Sequence, residues 1–284
     1  MSQEQLDKLV TLLRERPQPD PKTVEAMRDR INELGDKMPP PTAARTPVVP
    51  GHEAVGAFQF DESVVAVFPD MIQRSVPGYQ TILAGIGELT KHHALDNSNL
   101  YDLGCSLGAA TLTMRRNVED KNCQIIAIDN SEAMIKRAKE HLHAYHSEVP
   151  VQLHCADMTQ FPIENASVVI INFTLQFIDP DQRETLLKTI YQGLKPGGIL
   201  ILSEKLHFTN STLQESIEHL HLQFKRANGY SELEISQKRS SLENVLITDT
   251  EQDHLERFKK VGFQSAGIWF QAYNFASFLA IKTA

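Results

Sequence analysis

Apolar residues recur at helical spacing at the start of the chain and gather into short buried runs further on. Leu6, Leu9, Val10 and Leu13, then Val24, Met27, Ile31 and Leu34, repeat every three or four positions and predict two helices. The second follows Asp20-Pro21, a cap residue and a first-turn proline. Pro39, Pro40, Pro41, Pro47 and Pro50 then read as an extended linker, and the main domain is expected from about Phe58. Residues 62–92 are predicted to be mainly helical.

From Asn99 the rhythm alternates. Strands are predicted over 99–103, 124–129 (QIIAID), 151–157, 166–173 (ASVVIINF) and 198–204. Helices are predicted over 109–117, from Ser131 to about Tyr145, and through Leu186, Leu187, Ile190 and Leu194 up to Pro196-Gly197-Gly198. The nearly continuous apolar run at 166–173 suits a strand covered on both faces. Residues 209–246 form a polar, helix-prone insertion, followed by a helix at 250–260. Strands at 267–274 and 277–283 are separated by two residues, which suits an antiparallel hairpin. The expected fold class is α/β: a doubly wound, mostly parallel seven-stranded sheet of the class I methyltransferase type, closed by that hairpin.

Composition narrows the function. With 36 acidic against 28 basic residues, the net charge is -8, and no long basic run appears, so direct nucleic-acid binding is not expected. No apolar run is long enough to span a membrane, and the N-terminus lacks the pattern of a secretory signal. Cys105, Cys123 and Cys155 show neither C-x-x-C spacing nor a histidine-completed ligand set, which points to a reducing cytoplasm and to no metal.

The candidate chemistry sits at the strand ends. YDLGCSLGAA (101–110) reads as strand, glycine turn and helix start, with Gly104 and Gly108 four apart. That differs from the dinucleotide fingerprint, which wraps amides around a pyrophosphate. S-adenosyl-L-methionine, whose amino-acid group loop amides can contact, is a phosphate-free candidate. Asp129, 25 residues after Gly104, stands where a carboxylate can accept both hydrogen bonds of a ribose diol, or where it can cap the next helix. Asp157-Met158 can meet adenine, or Asp157 can be a turn residue. Asn172 can face the sulfonium, or be a satisfied edge residue. Four such loops together favour ligand binding, because open α/β sheets bind ligands at these ends.

The segments FPDMIQRSVPGY (68–79), YDLGCSLGAAT (101–111), AIDNS (127–131), NFTLQF (172–177) and FKRANGYSELEISQKRSSLENV (224–245) resemble carboxy-S-adenosyl-L-methionine synthases. The resemblance covers residues 58–284. It implies a cytoplasmic homodimer that converts S-adenosyl-L-methionine and prephenate to carboxy-S-adenosyl-L-methionine and phenylpyruvate. A separate tRNA-modifying enzyme would use the product to make 5-oxyacetyl uridine at the wobble position. An ordinary methyltransferase and a non-catalytic binding protein are the alternatives.

Carried over residue by residue, Tyr79, Gly104, Cys105, Ser106, Asp129, Asn130, Asp157, Met158, Asn172 and Arg239 match the family's ligand-contacting positions. By the same resemblance Arg239 reaches a neighbouring subunit's site, where a guanidinium fork fits the product's extra carboxylate. No protein general base is required, because the hydroxide lost from prephenate can take the methyl proton. Cys105 reads as a small loop residue, since the reaction has no covalent step. Of the basic cluster, Arg239 and Arg226 are assigned to the site and Lys225 and Lys238 to a solvated face. His141, His143, His146, His219 and His221 are likewise read as solvated.

Residues 1–57 depart from the family. RPQPDPKTVEAMRDRINELGDK (16–37) faintly resembles the cap of hormone-sensitive-lipase-type esterases, and PVVPGHEAVG (47–56) a segment of zinc alcohol dehydrogenases. No cysteine precedes His52 to share a zinc, and the region is read as a helical extension and linker without an activity of its own.

Overall fold

Alternate residues of each buried strand point to opposite faces, and this divides the apolar side chains between two cores. The computed structural model describes residues 62–118, 121–232, 234–235 and 245–283. The predicted N-terminal helices, the proline-rich linker, Lys238 and Arg239 lie outside the described residues.

The sheet contains β1 (Asn99–Leu103), β2 (Gln124–Asp129), β3 (Val151–Cys155), β4 (Ala166–Asn172), β5 (Leu194–Lys205), β6 (Ser265–Ala272) and β7 (Phe275–Ile281). Their order is β3-β2-β1-β4-β5-β7-β6. The first five are parallel, and β7 is antiparallel to both neighbours. Helices α1 (Glu62–Ser75), α2 (Tyr79–His93), α3 (Ala109–Asn117), α4 (Glu132–His143), α5 (Pro180–Gly193), α6 (Ser211–Ala227) and α7 (Glu251–Val261) complete the described residues, with a short 3-10 turn at Leu175–Phe177.

On one face, Leu103, Ile128, Ile171 and Leu202 pack with Leu187 and Ile190 of α5 and Phe258 of α7. On the other, Leu100, Ile125, Ile170 and Ile201 pack with Ile82 and Ile86 of α2 and Met114 of α3. Six of the seven residues of β4 are fully buried, as a strand covered on both sides requires. This is the expected doubly wound sheet with its closing hairpin.

One boundary differs from expectation. Pro196-Gly197-Gly198 does not end a helix; α5 stops at Gly193 and β5 begins at Leu194. The Gly197 N–H donates to the Lys282 carbonyl at 2.7 Å, the Lys282 N–H donates to Gly198 at 2.9 Å, and the register against β4 shifts here. The three residues form an irregularity inside a strand, a common place for glycine and proline.

Strand order reverses between β1 and β4. The loops after these strands leave in opposite directions and open a crevice at the carboxyl ends of the sheet, the usual ligand position in this architecture.

Candidate active site at the strand ends

Gly104 turns the chain out of β1 with φ 79°, and Gly108 caps α3 with φ 81°. The two glycines are required for different reasons. A Cβ on Gly104 would lie 2.2 Å from Thr174 Cγ2, whereas one on Gly108 would meet nothing closer than Leu142 at 3.7 Å. Ser106 between them also has a left-handed backbone, φ 48°.

The loop's own amides bond within the protein. The Gly104 and Cys105 N–H groups donate to the Ile128 carbonyl at 2.8 and 2.9 Å, and Gly108 donates to Cys105. The Ser106 N–H donates to Asp129 Oδ2 at 2.9 Å. The expectation that these amides would face a ligand is therefore corrected: this stretch offers carbonyl oxygens instead, which are acceptors for an ammonium.

Asp129 braces the start of the next helix, one of the two readings left open by the sequence. Its Oδ1 accepts the Ser131 N–H at 2.9 Å, while Ser131 itself caps α4 by accepting the Met134 N–H. Burial raises its pKa, and the two amide bonds oppose that shift. Each oxygen keeps a further lone pair for a hydroxyl donor. Asp157 is exposed and accepts both the N–H and the hydroxyl of Thr159 at 2.8 Å, a turn arrangement at the mouth of the crevice. Asn172 ends β4 with a buried Oδ1 that has no hydrogen-bond partner among the described residues. Phe173, next in the chain, holds a left-handed φ of 61°, a strained conformation for a bulky residue.

A cavity of about 730 Å³ joins these loops, within the size range of small-molecule sites. Gly104, Ser106, Asp129, Asn130, Asp157, Met158 and Asn172 line it. Tyr79 and Cys105, also expected at the ligand, are buried and are not among the residues that line it. Tyr79 is buried near Phe173, and burial raises its hydroxyl pKa. Burial, with Asp102 and Asp129 nearby, pushes the Cys105 thiol up, so it is a poor nucleophile, as the loop reading expected.

The pattern G-x-S-x-G is present at 104–108, on a strand–turn–helix that resembles a nucleophile elbow. The expectation from the sequence that the chain lacks this pattern is corrected here. The Ser106 hydroxyl donates to Met134 Sδ at 3.5 Å and not to a base, so the pattern does not bring a triad with it.

Three comparisons bear on this geometry. Residues 100–198 match a family model described as a methyltransferase domain. A carboxy-S-adenosyl-L-methionine synthase of Hydrogenovibrio crunogenus is 74% identical over 81% of this chain and 92% of its own. The chain belongs to the carboxy-S-adenosyl-L-methionine synthase family. It is an enzyme. A Vibrio campbellii member is 55% identical over 88% of this chain and all of its own. An O-methyltransferase family protein from Burkholderia thailandensis shares the fold, with a TM-score of 0.55 at 15% identity over 79% of this chain and 61% of that one.

Several residues of this synthase-family cavity escaped sequence reading. Phe68, Met71 and Ser75 of α1 form one wall, and His221 and Lys225 of α6 another. Three assignments are corrected here. Lys225 and His221 line the cavity and do not belong to a solvated face, whereas Arg226 pairs with Glu232 at 2.5 Å outside it. His221 is buried and its Nε2–H donates to the Ser75 carbonyl at 2.8 Å. Burial, with Lys225 and Lys205 nearby, lowers its pKa to about 3, so the ring is neutral at ordinary pH. Arg74 strengthens the same junction, donating from Nε to the Asn228 carbonyl at 2.7 Å and lying over the Tyr230 ring.

Two buried carboxyls support the site from below. Asp102 accepts the Thr111 hydroxyl at 2.6 Å, and burial raises its pKa to about 6. Glu204, at the end of β5, accepts the Leu175 and Gln176 N–H groups at 2.9 and 3.1 Å. It thereby holds the turn that follows Asn172. Among the described residues, no group of three or more His, Cys, Asp or Glu side chains is placed to hold a metal, and no helix is long and apolar enough to cross a membrane.

Proposed function

We propose that this enzyme converts S-adenosyl-L-methionine and prephenate to carboxy-S-adenosyl-L-methionine, phenylpyruvate and water. One observation carries the reading: a single cavity joins Gly104, Asp129, Asp157 and Asn172 in a chain 74% identical to a named synthase. Asp129 would receive the ribose hydroxyls and the Asp157-Met158 loop the adenine. The ammonium of the amino-acid group would meet acceptors, the Gly104 carbonyl and Asn172 Oδ1 among them.

The chemistry balances without a protein base. Prephenate loses carbon dioxide, and the electron pair of the broken C–C bond aromatises the ring and expels the ring hydroxyl as hydroxide. The sulfonium acidifies its methyl group, and hydroxide removes a methyl proton to give water and an ylide. The ylide carbon attacks carbon dioxide, forming the new C–C bond. The protein's task is to hold the two substrates together and keep bulk water from the carbanion. In the same reading Arg239 recognises the new carboxylate across a homodimer, and a separate enzyme transfers the product's carboxymethyl group to wobble uridine.

Ordinary methyl transfer is a second reading, favoured by the methyltransferase-domain match over 100–198. Phenylpyruvate release, followed by absorbance with purified enzyme, separates the two. It is expected only when prephenate and S-adenosyl-L-methionine are both present. Prephenate consumption that ignores S-adenosyl-L-methionine would defeat the proposal.

A further inference from the structure

Arg183 sits in the first turn of α5, where a cation opposes the positive end of the helix. Its side chain is only 1% exposed, so its contacts must offset the cost of taking a charge out of water. Those contacts lie outside α5. Nε donates to the Ile178 carbonyl at 2.9 Å, Nη2 to the Ile247 carbonyl at 2.8 Å and Nη1 to Asp249 Oδ2 at 2.7 Å. Nη2 also reaches the Gln176 carbonyl at 3.5 Å, and that carbonyl accepts the Ile247 N–H at 3.0 Å. These acceptors belong to two stretches of the cavity wall. Gln176, Phe177 and Ile178 line it from the turn after β4, and Val245 and Leu246 from the segment that leads into α7. Glu204 accepts the Leu175 and Gln176 N–H groups, so one side chain holds the amides of this turn and another its carbonyls.

We infer that Arg183 is a positioning residue, which locks these two stretches of wall together and so shields the methyl carbanion and carbon dioxide from bulk water. The inference rests on the reaction proposed above. A planar guanidinium with donors on three nitrogens can span both stretches at once, which an ammonium cannot. With the stretches parted, water protonates the ylide and regenerates S-adenosyl-L-methionine and hydroxide. The escaping carbon dioxide takes up that hydroxide as bicarbonate. Prephenate then yields phenylpyruvate and bicarbonate, and no carboxylated product forms.

The test measures phenylpyruvate and carboxy-S-adenosyl-L-methionine in the same reaction, run in heavy water, for the wild type and for Arg183→Lys, Arg183→Gln and Asp249→Asn. Arg115→Gln is the control. Arg115 of α3 also donates to four carbonyls, those of Leu142, Tyr145, Ser147 and Val149, none of which lines the cavity. The wild type is expected to form the two products in equal amount. Arg183→Lys and Arg183→Gln are expected to raise the ratio of phenylpyruvate to carboxylated product at least about threefold, as water entry requires, with deuterium in the methyl group of recovered S-adenosyl-L-methionine. Asp249→Asn, which removes the charge that Arg183 pairs with, is expected to move the ratio in the same direction, and it decides the matter should the Arg183 variants not fold. Arg115→Gln is expected to lower the melting temperature and leave the ratio at one. Variants of Arg183 or Asp249 that lose stability or turnover at an unchanged ratio would overturn the positioning role, as would an equal rise in Arg115→Gln. Both results leave the functional reading intact. A wild type that forms no carboxylated product from prephenate would remove the functional reading itself.

Discussion

Asp129 accepts the Ser106 backbone N–H at 2.9 Å, so the residue ending the second strand also fastens the loop leaving the first. The same carboxylate receives Ser131 at the start of α4. Loop and helix are thus positioned from one side chain. Asp129→Asn leaves a single acceptor oxygen and turns an NH₂ group toward an N–H donor. We expect a loss of about 1–3 kcal/mol in folding free energy from the broken bond. Calorimetry should show S-adenosyl-L-methionine affinity falling by at least about tenfold, equivalent to 1.4 kcal/mol. Unaltered affinity would separate this carboxylate from the ligand.

Gly104 and Gly108 share a left-handed backbone, so alanine costs each about 1–2 kcal/mol from that source. Only Gly104 meets a neighbour as well, the side chain of Thr174. Urea denaturation is therefore expected to find Gly104→Ala less stable than Gly108→Ala by a further 1–3 kcal/mol or so, the usual range for overpacking. Equal stabilities would show that Thr174 moves aside freely.

Burial lifts the Glu204 pKa to about 8, against an ordinary value of 4.5, despite its two amide bonds and the nearby Arg183. A carboxyl raised in the folded state binds its proton more tightly there than in the unfolded chain. Its stabilising contribution is complete below about pH 4.5 and is lost as pH rises to about 8. Glu204→Gln removes this dependence. The melting temperature of the variant minus that of the wild type should increase across this window. A difference that falls with pH would show that the folded protein prefers the carboxylate.

Arg239 is assigned to the extra carboxylate of the product. If it has that role, Arg239→Ala should weaken carboxy-S-adenosyl-L-methionine binding while keeping most of the affinity for S-adenosyl-L-methionine. Titration with the two ligands measures the difference, and equal losses would contradict the assignment.

The fold was legible where punctuation and period agree. Helix α3 begins and ends where the sequence predicts, because Gly108 turns the chain immediately before it. Strand β2 is likewise bounded as expected, by its apolar run and Asp129. Pro196-Gly197-Gly198 was misread because the same residues serve a helix stop and a strand irregularity. The deciding contact is with Lys282, far along the chain. His221 and Lys225 were misplaced for a related reason. Helical spacing shows which residues share a face of α6, but only packing against Ser75, 146 positions away, buries His221. Motif spacing did identify the loops at the ends of β1, β2, β3 and β4, since each carries its own polar residue beside a strand end. It did not identify the walls that α1 and α6 add.

In the proposed reaction a carboxylate leaves prephenate and arrives on the methyl carbon of S-adenosyl-L-methionine. Prephenate carrying carbon-13 in its ring carboxylate, incubated with the enzyme and unlabelled S-adenosyl-L-methionine, tests it by mass spectrometry of the sulfonium product. The expected product is a cofactor heavier by one labelled carboxylate, with phenylpyruvate in equal amount. Recovery of unmodified S-adenosyl-L-methionine alone, or of S-adenosylhomocysteine with a methylated acceptor, would contradict it.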